Sequence, residues 1–324
     1  MKILIIGCGS IGRRHIRLLR EMGVEVCGYD ENPDAMLALR DIEGVKIAAP
    51  GADLAATLRH NFDGAIVATP PHVRINPVVA AMKAGCGVMV EKPSATTADE
   101  ARSILHYQQL LGRPLLVGYN LRYHPGLRRV KELLDSGAIG TVRHARIHFG
   151  AYLPDWRPGM DYRNGYAARR DTGGGVILDA SHELDYACWL FGSPVAVSCV
   201  AQNTGALEIE TEDVADLTVT FASGMQAVIH LDYLDREYSR WCSITGDKAT
   251  ANWNFATDFV WLRNGTAAAK AVDPDDMYRA ELKHFLACLR GEEQPLCTGE
   301  DGLLALRLAL AARESAETGK VVRL

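Results

Sequence analysis

The run Lys2-Ile-Leu-Ile-Ile6 leads directly into three glycines, Gly7, Gly9 and Gly12, spaced as GxGxxG. An apolar strand that ends in this pattern and opens into a helix is an arrangement that binds dinucleotides. The first glycine permits a tight turn, the second lets the backbone approach a pyrophosphate, and the third lets the helix pack on the sheet. The helix N-terminus directs free N–H groups and a positive dipole end toward the phosphates. The stretch therefore predicts a strand–turn–helix unit that binds a dinucleotide.

The residues after this turn fit the same site. An amphipathic helix is expected from Ile11 to Met22, and the next strand, Val24 to Tyr29, ends at Asp30. A carboxylate there accepts hydrogen bonds from a ribose and repels a 2′-phosphate, so we expect NAD to bind better than NADP. Arg13 and Arg14 lie one step into the helix, where solvent exposure and a phosphate contact are both open to them. The cofactor contacts expected at this turn are Gly7, Cys8, Gly9, Ser10, Ile11, Gly12 and Asp30.

Composition narrows the class of protein. A chain of 324 residues is long enough for about two domains, and 48% hydrophobic with 23% charged residues is typical of a globular protein. A net charge of -5 and a pI near 6.1 argue against a nucleic-acid or membrane partner. The eight cysteines are scattered without a CxxC pair, as expected of reduced thiols in a cytoplasmic protein, and we expect no metal site.

The pattern of apolar and polar residues changes near residue 118. Before it, short aliphatic runs alternate with helical patterns, which predicts a doubly wound parallel sheet in an α/β Rossmann domain over residues 1–118. After it, longer strands alternate apolar and polar residues, as in Asp216-Leu-Thr-Val-Thr-Phe221. This pattern predicts a large, mostly antiparallel open sheet in an α+β domain over residues 119–324. Helices over Pro274–Arg290 and Gly302–Glu317 are expected to end the chain.

Several motifs together resemble the Gfo/Idh/MocA family, named for glucose-fructose oxidoreductase, inositol dehydrogenase and a rhizopine-catabolism protein. They are the glycine turn, Ala68-Thr-Pro-Pro-His72, Glu91-Lys-Pro93, Gly173-Gly-Gly-Val-Ile-Leu-Asp179 with His182, and Gly302-Leu-Leu-Ala-Leu306. The resemblance covers essentially the whole chain. It implies a Rossmann domain paired with an open-sheet domain, and oxidation or reduction of a hydroxyl-bearing carbon on a sugar, cyclitol or sugar nucleotide. By this resemblance, the further cofactor contacts are Ala68, Thr69, Pro70, His72, Glu91, Lys92, Pro93 and Asn120.

The resemblance also places Lys92 at the reacting hydroxyl, and the chemistry agrees. Removing hydride from an alcohol carbon requires the hydroxyl proton to leave, so an acid/base group must be near. His182 is the expected proton acceptor, and Lys92 would stabilise negative charge on the same oxygen. Asp179 and His182 lie three apart on a helix expected from Gly175 to Leu190, so we expect them to share one face of that helix. The family's usual spacing is four, which leaves open whether Asp179 or Asp185 orients the histidine.

Residues 151–172, here called the aromatic segment, mix tyrosines and Trp156 with four arginines and three aspartates. Such a segment before the catalytic helix suggests a substrate lid, although a solvated loop or a subunit contact explains it equally well. Its arginines, Arg157, Arg163, Arg169 and Arg170, suit an anionic substrate unless the aspartates neutralise them. The expected substrate contacts are Lys92, Asn120, Arg122, Tyr123, Trp156, Arg163, Tyr166, Arg169, Asp179 and His182.

The sequence thus predicts an NAD-dependent oxidoreductase acting on a sugar-like hydroxyl. Two alternatives remain: a hydrolase of the same family that uses bound NAD to cleave glycosidic bonds, and a nucleotide-binding regulatory protein without turnover. The intact Lys92 and His182 disfavour the regulatory protein. The uncovered face of the second sheet predicts a homodimer or homotetramer formed through that sheet.

Overall fold

The computed structural model describes residues 1–324 except 41, 43, 49–51, 157, 158, 160, 257, 258, 263, 264 and 267–272. The chain divides into two compact units, one of Met1–Asn120 with Pro274–Leu303 and one of Leu121–Asp273 with Leu304–Leu324. The predicted boundary at residue 118 treats the chain as two consecutive blocks, whereas the contacts group residues 274–303 with the N-terminal unit. No helix in the described part of the chain is both long and apolar enough to cross a membrane.

The strands and helices carry the following bounds. The strands are β1 (Lys2–Ile6), β2 (Glu25–Tyr29), β3 (Lys46–Ile47), β4 (Gly64–Val67), β5 (Gly87–Glu91), β6 (Leu115–Gly118), β7 (Val142–Gly150), β8 (Pro194–Gln202), β9 (Val214–Phe221), β10 (Gln226–Asp232), β11 (Ser239–Gly246), β12 (Thr250–Asn254), β13 (Phe259–Leu262), β14 (Gly265–Thr266) and β15 (Val322–Arg323). The helices are α1 (Ser10–Glu21), α2 (Pro33–Leu37), α3 (Leu54–Leu58), α4 (Ile75–Lys83), α5 (Ala98–Leu111), α6 (Pro125–Asp135), α7 (Val176–Asp179), α8 (Ser181–Phe191), α9 (Pro274–Leu289) and α10 (Gly299–Thr318).

The first unit contains the predicted parallel sheet, with strand order β3-β2-β1-β4-β5-β6. Its strands are aliphatic because both faces are covered. Ile3, Ile5 and Ile66 pack in one core with Leu282 and Phe285 of α9. Helix α9 therefore completes the hydrophobic core of the N-terminal unit, which explains why residues 274–303 group with it.

The second unit is built on a sheet of order β14-β13-β12-β11-β7-β10-β9-β8-β15. Strands β10 and β7 pair in parallel, and the other neighbouring pairs are antiparallel. The prediction of a mostly antiparallel sheet is thus confirmed. Alternate residues, such as Ile147 on β7 and Ile229 on β10, are buried, while Val228 and Val200 on the other face are 46% and 72% exposed. We call this second face the open face.

One predicted helix is interrupted. The helix expected from Gly175 to Leu190 is two helices, α7 and α8, joined at Ala180, whose φ and ψ of -87° and 30° are not helical. Asp179 therefore ends one helix and His182 lies in the first turn of the next. The inference that their spacing places them on one helical face was wrong, because that argument requires a continuous helix.

Candidate functional site

The glycine turn has the geometry that its sequence predicts. Gly7 has φ of +94°, and a Cβ there would lie 2.7 Å from the backbone nitrogen of Thr69. A Cβ on Gly12 would lie 1.9 Å from the carbonyl oxygen of Gly7. Gly9 has no atom within 4 Å of its Cβ position. The turn is therefore closed at Gly7 and Gly12 by the protein's own backbone and open at Gly9, where a ligand can approach.

Asp30 is fixed beside this turn. Its Oδ2 accepts a hydrogen bond from the backbone N–H of Cys8 at 2.7 Å, and its Oδ1 accepts one from Asn32 at 2.8 Å. Burial, together with the charge of Asp30, raises the pKa of the Cys8 thiol to about 12, so this cysteine is a neutral part of the turn. The carboxylate at the end of β2 is thus held at the glycine turn, as a ribose-binding acid must be.

The two arginines of α1 differ in their surroundings. Arg13 is exposed, whereas the Nε of Arg14 lies 3.3 Å from Asp275 and its guanidinium stacks 4.8 Å from the ring of Tyr278. Arg14 is therefore engaged with α9, whereas the exposed Arg13 has the more accessible guanidinium for a phosphate contact.

The ends of β4 and β5 form the rest of the expected cofactor edge. Ala68 and Thr69 are half-buried, and Pro70 and His72 are exposed. Arg74, only 4% exposed, ties the two strand ends together. Its guanidinium donates hydrogen bonds to the carbonyl oxygens of Thr69 at 3.1 Å and Glu91 at 2.7 Å, and also to that of Pro93. Sequence reasoning missed Arg74, which fixes the backbone on both sides of Lys92.

Glu91 supports the same strand end from the interior. Its Oε1 lies 2.7 Å from Nε2 of His15, a residue with no exposed surface. Burial raises the pKa of the Glu91 carboxyl, but the hydrogen bond and charge of His15 outweigh it, and the pKa falls below its ordinary value. The carboxylate is turned into the protein, so the expected cofactor contact of Glu91 is not supported at its side chain. Lys92, the next residue, is half-buried.

In the second unit, Asp179 is held by two tyrosines. The Tyr166 hydroxyl donates to Oδ1 of Asp179, and the Tyr233 hydroxyl donates to Oδ2 at 3.1 Å. Burial raises the pKa of Tyr233 well above its ordinary value, so that hydroxyl remains a donor. Asp179 also borders a pocket. The pocket is lined by Leu153, Pro154, Trp156, Asp161, Tyr162, Gly165, Ala167 and Asp179. The structure therefore brings together Trp156, Tyr166 and Asp179 of the predicted substrate contacts. His182 is half-buried in the first turn of α8.

Arg122, an expected substrate contact, forms an ion pair within the second unit. Its guanidinium makes a two-point contact with Asp185, with Nε–Oδ2 of 2.9 Å and Nη2–Oδ1 of 2.7 Å. Both side chains are at most 2% exposed. Tyr123 and Asn120 are each 5% exposed, and their expected substrate contacts stay predictions. The predicted substrate role of Arg122 stays a prediction, and the contact that the structure contains is an ion pair that anchors α8.

A second buried ion pair also anchors α8. Glu183, adjacent to His182, has no exposed surface, and its Oε1 lies 2.9 Å from Nε of Arg240 on β11. The Arg240 guanidinium also stacks 4.4 Å from the ring of Phe149. Sequence reasoning missed this pair because its members are 57 positions apart and neither belongs to a motif. The two pairs hold the helix that carries His182.

Three of the four arginines of the aromatic segment lie within the described residues, and each has a partner in the chain. Arg163 contacts Asp161 at 2.8 Å and Glu208 at 3.2 Å. Arg169 contacts Asp171 at 2.9 Å. Arg170 donates to the carbonyl oxygen of Glu210 at 2.9 Å. Arg157 lies outside the described residues. At Arg163 and Arg169, neighbouring carboxylates balance the positive charge. This was the alternative to binding of an anionic substrate.

Three family models match the chain. Residues 1–119 match an oxidoreductase family with an NAD-binding Rossmann fold, residues 127–252 match a GFO/IDH/MocA C-terminal domain, and residues 274–324 match an oxidoreductase-family C-terminal alpha/beta domain. The chain is 28% identical to D-apiose dehydrogenase of Paraburkholderia graminis over 99% of this chain and 88% of the relative. It is 26% identical to inositol 2-dehydrogenase 3 of Saccharopolyspora erythraea over 99% and 95%, respectively.

Solved structures share the fold. The WlbA dehydrogenase of Bordetella pertussis, in complex with NADH and UDP-GlcNAcA, superposes with a TM-score of 0.84 at 24% identity, covering 100% of this chain and 98% of that one. The myo-inositol 2-dehydrogenase of Lactobacillus plantarum gives 0.85 at 21% identity, covering 100% and 99%. At these identities the likeness establishes the fold alone.

Proposed function

The chain belongs to the GFO/IDH/MocA family of oxidoreductases, and we propose that it transfers hydride between NAD and a hydroxyl-bearing carbon of a sugar, cyclitol or sugar nucleotide. The observation that carries the proposal is the glycine turn, open at Gly9 and closed at Gly7 and Gly12, with the Asp30 carboxylate fixed beside it. NAD fits these residues because the open glycine leaves room for its pyrophosphate and the acid can accept its ribose hydroxyls. When bound, NAD supplies the hydride acceptor.

Side chains of the protein must accept the proton of the substrate hydroxyl and stabilise the negative charge that develops on its oxygen. We assign proton acceptance from the substrate hydroxyl to His182, a half-buried residue whose imidazole has a ring nitrogen that can accept a proton. We assign stabilisation of the developing negative charge on that oxygen to Lys92. The carbonyl contacts of Arg74 hold the backbone on both sides of this lysine.

Of the two candidate carboxylates, Asp179 is preferred over Asp185 as the partner of the catalytic groups. It borders the pocket of the second unit, whereas Asp185 is 1% exposed and directs both oxygens to Arg122. We therefore propose that Asp179 orients His182 or a substrate hydroxyl, and that Asp185 anchors the helix. Tyr166 and Tyr233 fix the Asp179 carboxylate by donating to its two oxygens.

The pairing within the aromatic segment bears on the substrate. Arg163 and Arg169 are 49% and 53% exposed, and each is paired with a carboxylate of its own segment, so the charge of these two guanidinium groups is already balanced within the protein. We propose that the substrate is recognised through hydroxyl groups rather than through a carboxylate or phosphate bound by these arginines. Neutral sugars and cyclitols are therefore the first compounds to test.

Two further properties are proposed. The open face exposes Val200 and Val228, and apolar side chains exposed on a sheet face are commonly buried against a second subunit, so we propose a homodimer or homotetramer. Light scattering at micromolar concentration tests this, and a monomer would contradict it. All eight cysteines are buried free thiols, which supports a cytoplasmic location.

The experiment begins with a thermal-shift screen of neutral sugars, cyclitols, sugar acids and sugar nucleotides, each with and without NAD. A compound that binds the folded protein raises its stability by mass action. Compounds that stabilise only with NAD present are then assayed for NADH formation. If NAD produces no shift, or if stabilising compounds yield no NADH and are not cleaved either, the protein is not the proposed enzyme.

A further inference from the structure

A row of polar side chains crosses the open face of the second unit's sheet. His148 on β7 is in register with His230 on β10, and His230 is in register with Asp216 on β9. The rings of His148 and His230 stack with centroids 5.1 Å apart and planes 8° apart. The Trp241 ring stacks on the other side of His148 at 5.2 Å. His148 is therefore held in one orientation by a ring on each side.

Two aspartates complete this cluster at the end of β10. The Nε2 of His148 lies 3.2 Å from Oδ2 of Asp235. The donor atoms of His148, Asp232 and Asp235 all lie within 4.8 Å of one another. Two ligands about 2.0–2.1 Å from one tetrahedral ion lie roughly 3.3–3.4 Å apart, so the spacing of His148 and Asp235 suits a shared metal ion.

The Asp232 carboxylate is held in a fixed orientation beside His148 and Asp235. Its Oδ1 accepts backbone hydrogen bonds from Leu234 and Asp235, each at 2.7 Å, and its Oδ2 lies 3.1 Å from Nε2 of His230. The residue is 4% exposed. The other nitrogen of His230 lies 2.7 Å from Asp216. This aspartate–histidine–aspartate chain fixes the Asp232 carboxylate, as outer hydrogen-bond partners fix ligands in metal sites.

The backbone leaves the space that the carboxylates need. A Cβ on Gly150, at the end of β7, would lie 2.3 Å from Oδ2 of Asp235 and 2.6 Å from Oδ2 of Asp232. Both carboxylates therefore converge on a space that any other residue at position 150 would fill.

We propose that His148, Asp232 and Asp235 bind a first-row divalent metal ion, with water completing its coordination. One imidazole nitrogen and two carboxylate oxygens suit Zn²⁺, Co²⁺ or Mn²⁺ better than Ca²⁺, which takes oxygen ligands. None of these three residues is among those assigned to hydride transfer. Asp232 nevertheless adjoins Tyr233, whose hydroxyl binds Asp179, so a bound ion would steady the strand end that positions that carboxylate.

The test is metal binding by the full-length protein after treatment with EDTA. Calorimetric titration with Zn²⁺ should give one ion per chain with a Kd below about 10 μM, and Co²⁺ should produce the visible absorption of a protein-bound ion. His148→Gln and Asp235→Ala should each weaken Zn²⁺ binding at least tenfold. His144→Gln is the matched control, because His144 is an exposed histidine on the same strand and face, and it should leave binding unchanged.

Two results would overturn the proposal. One is the absence of saturable Zn²⁺ or Co²⁺ binding in the wild-type protein. The other is equal weakening, or no weakening, in the His148, Asp235 and His144 variants, which would indicate adventitious binding to surface histidines. Far-ultraviolet circular dichroism and NAD-induced thermal shifts establish that each variant is folded. If one cluster variant does not fold, the other decides the outcome.

Discussion

Asp185 and Arg122 form a two-point ion pair, with contacts of 2.9 and 2.7 Å, in a part of the second unit where both side chains are almost fully buried. The pair anchors α8 one turn after His182. A buried pair of this kind contributes little net stability compared with an apolar pair, but loss of one partner leaves an uncompensated charge. The relationship therefore has a measurable consequence for stability.

Arg122→Met should destabilise the protein by about 3–5 kcal/mol, because it leaves the Asp185 carboxylate buried without its partner. Urea unfolding measures the change. The double variant Arg122→Met/Asp185→Leu should recover part of the loss. Arg129→Ala is the control, since its pair with Glu132 is about half exposed and should change stability by less than about 1 kcal/mol. Equal effects of Arg122→Met and Arg129→Ala would contradict this account.

We expect Glu281 to make the free energy of unfolding depend on pH. The residue has no exposed surface, and neither of its carboxyl oxygens has a hydrogen-bond partner within the described part of the chain. Burial and the charge of Glu91 raise its pKa well above the ordinary value of 4.5. The unfolded chain loses this proton near pH 4.5 while the folded protein keeps it, so stability falls as pH rises above that value, by up to about 1.4 kcal/mol per pH unit.

Glu281→Gln should remove this dependence and raise the free energy of unfolding at pH 7 relative to pH 4. Urea unfolding at several pH values tests it. Glu317→Gln, an exposed change on α10, should leave the pH profile as it is in the wild type. A Glu281→Gln profile parallel to that of the wild type would show that the carboxyl is ionised in the folded protein.

Cofactor preference follows from Asp30. Because its carboxylate is fixed at the glycine turn, NAD should bind more tightly than NADP. The substitution Asp30→Ser should reduce the ratio of the NAD affinity to the NADP affinity at least tenfold. Fluorescence titration with NADH and NADPH gives both affinities. Tighter binding of NADPH by the wild type would mean that an arginine such as Arg13 overrides the acid.

The arginines of the aromatic segment should contribute little to substrate binding. Arg163→Ala and Arg169→Ala each remove a guanidinium that is already paired with Asp161 or Asp171. We expect KM to change by less than about threefold in either variant, which is under 1 kcal/mol. A tenfold or larger rise in KM would restore the hypothesis of an anionic substrate.

Features of the structure that are set by residues close in the sequence could be predicted, whereas those set by residues distant in the sequence could not. The roles of Gly7 and Gly12 were predictable because each is set by steric contact in a local turn, and the alternation of the later strands predicted the mostly antiparallel sheet. The break at Ala180 was not predictable, since the residues on both sides favour helix. It separates Asp179 from His182 by a bend that spacing alone does not show.

Long-range pairs were also beyond the sequence. Arg122 is 63 positions from Asp185, so their pairing could not be predicted. Arg122 was interpreted as a substrate contact because the family places such contacts in this part of the chain. The proposed metal site departs from the expectation of none for the same reason. That expectation rested on cysteine spacing, whereas His148 and Asp235 are 87 positions apart and meet only through the pairing of β7 with β10.

The assignment of Lys92 and His182 predicts a loss of rate without a loss of cofactor affinity. Lys92→Ala and His182→Ala should each lower kcat by about a hundredfold or more, because each removes a group that acts on the reacting oxygen. NAD affinity, measured by titration, should change by less than about threefold. Asp179→Asn should have a larger effect on kcat than any conservative change distant from the pocket, such as Glu317→Gln. Near-normal turnover in Lys92→Ala would remove the lysine from the mechanism.

Net hydride transfer is the most direct test of the central claim. The wild-type protein is incubated with excess NAD and a limiting amount of the stabilising sugar or cyclitol, and NADH and the remaining substrate are quantified together. A dehydrogenase yields one NADH for each substrate molecule oxidised, and Lys92→Ala yields NADH at least about a hundredfold more slowly. Consumption of the substrate with cleavage of a glycosidic bond and no accumulation of NADH would contradict the account and identify the chain as a hydrolase that reuses its NAD.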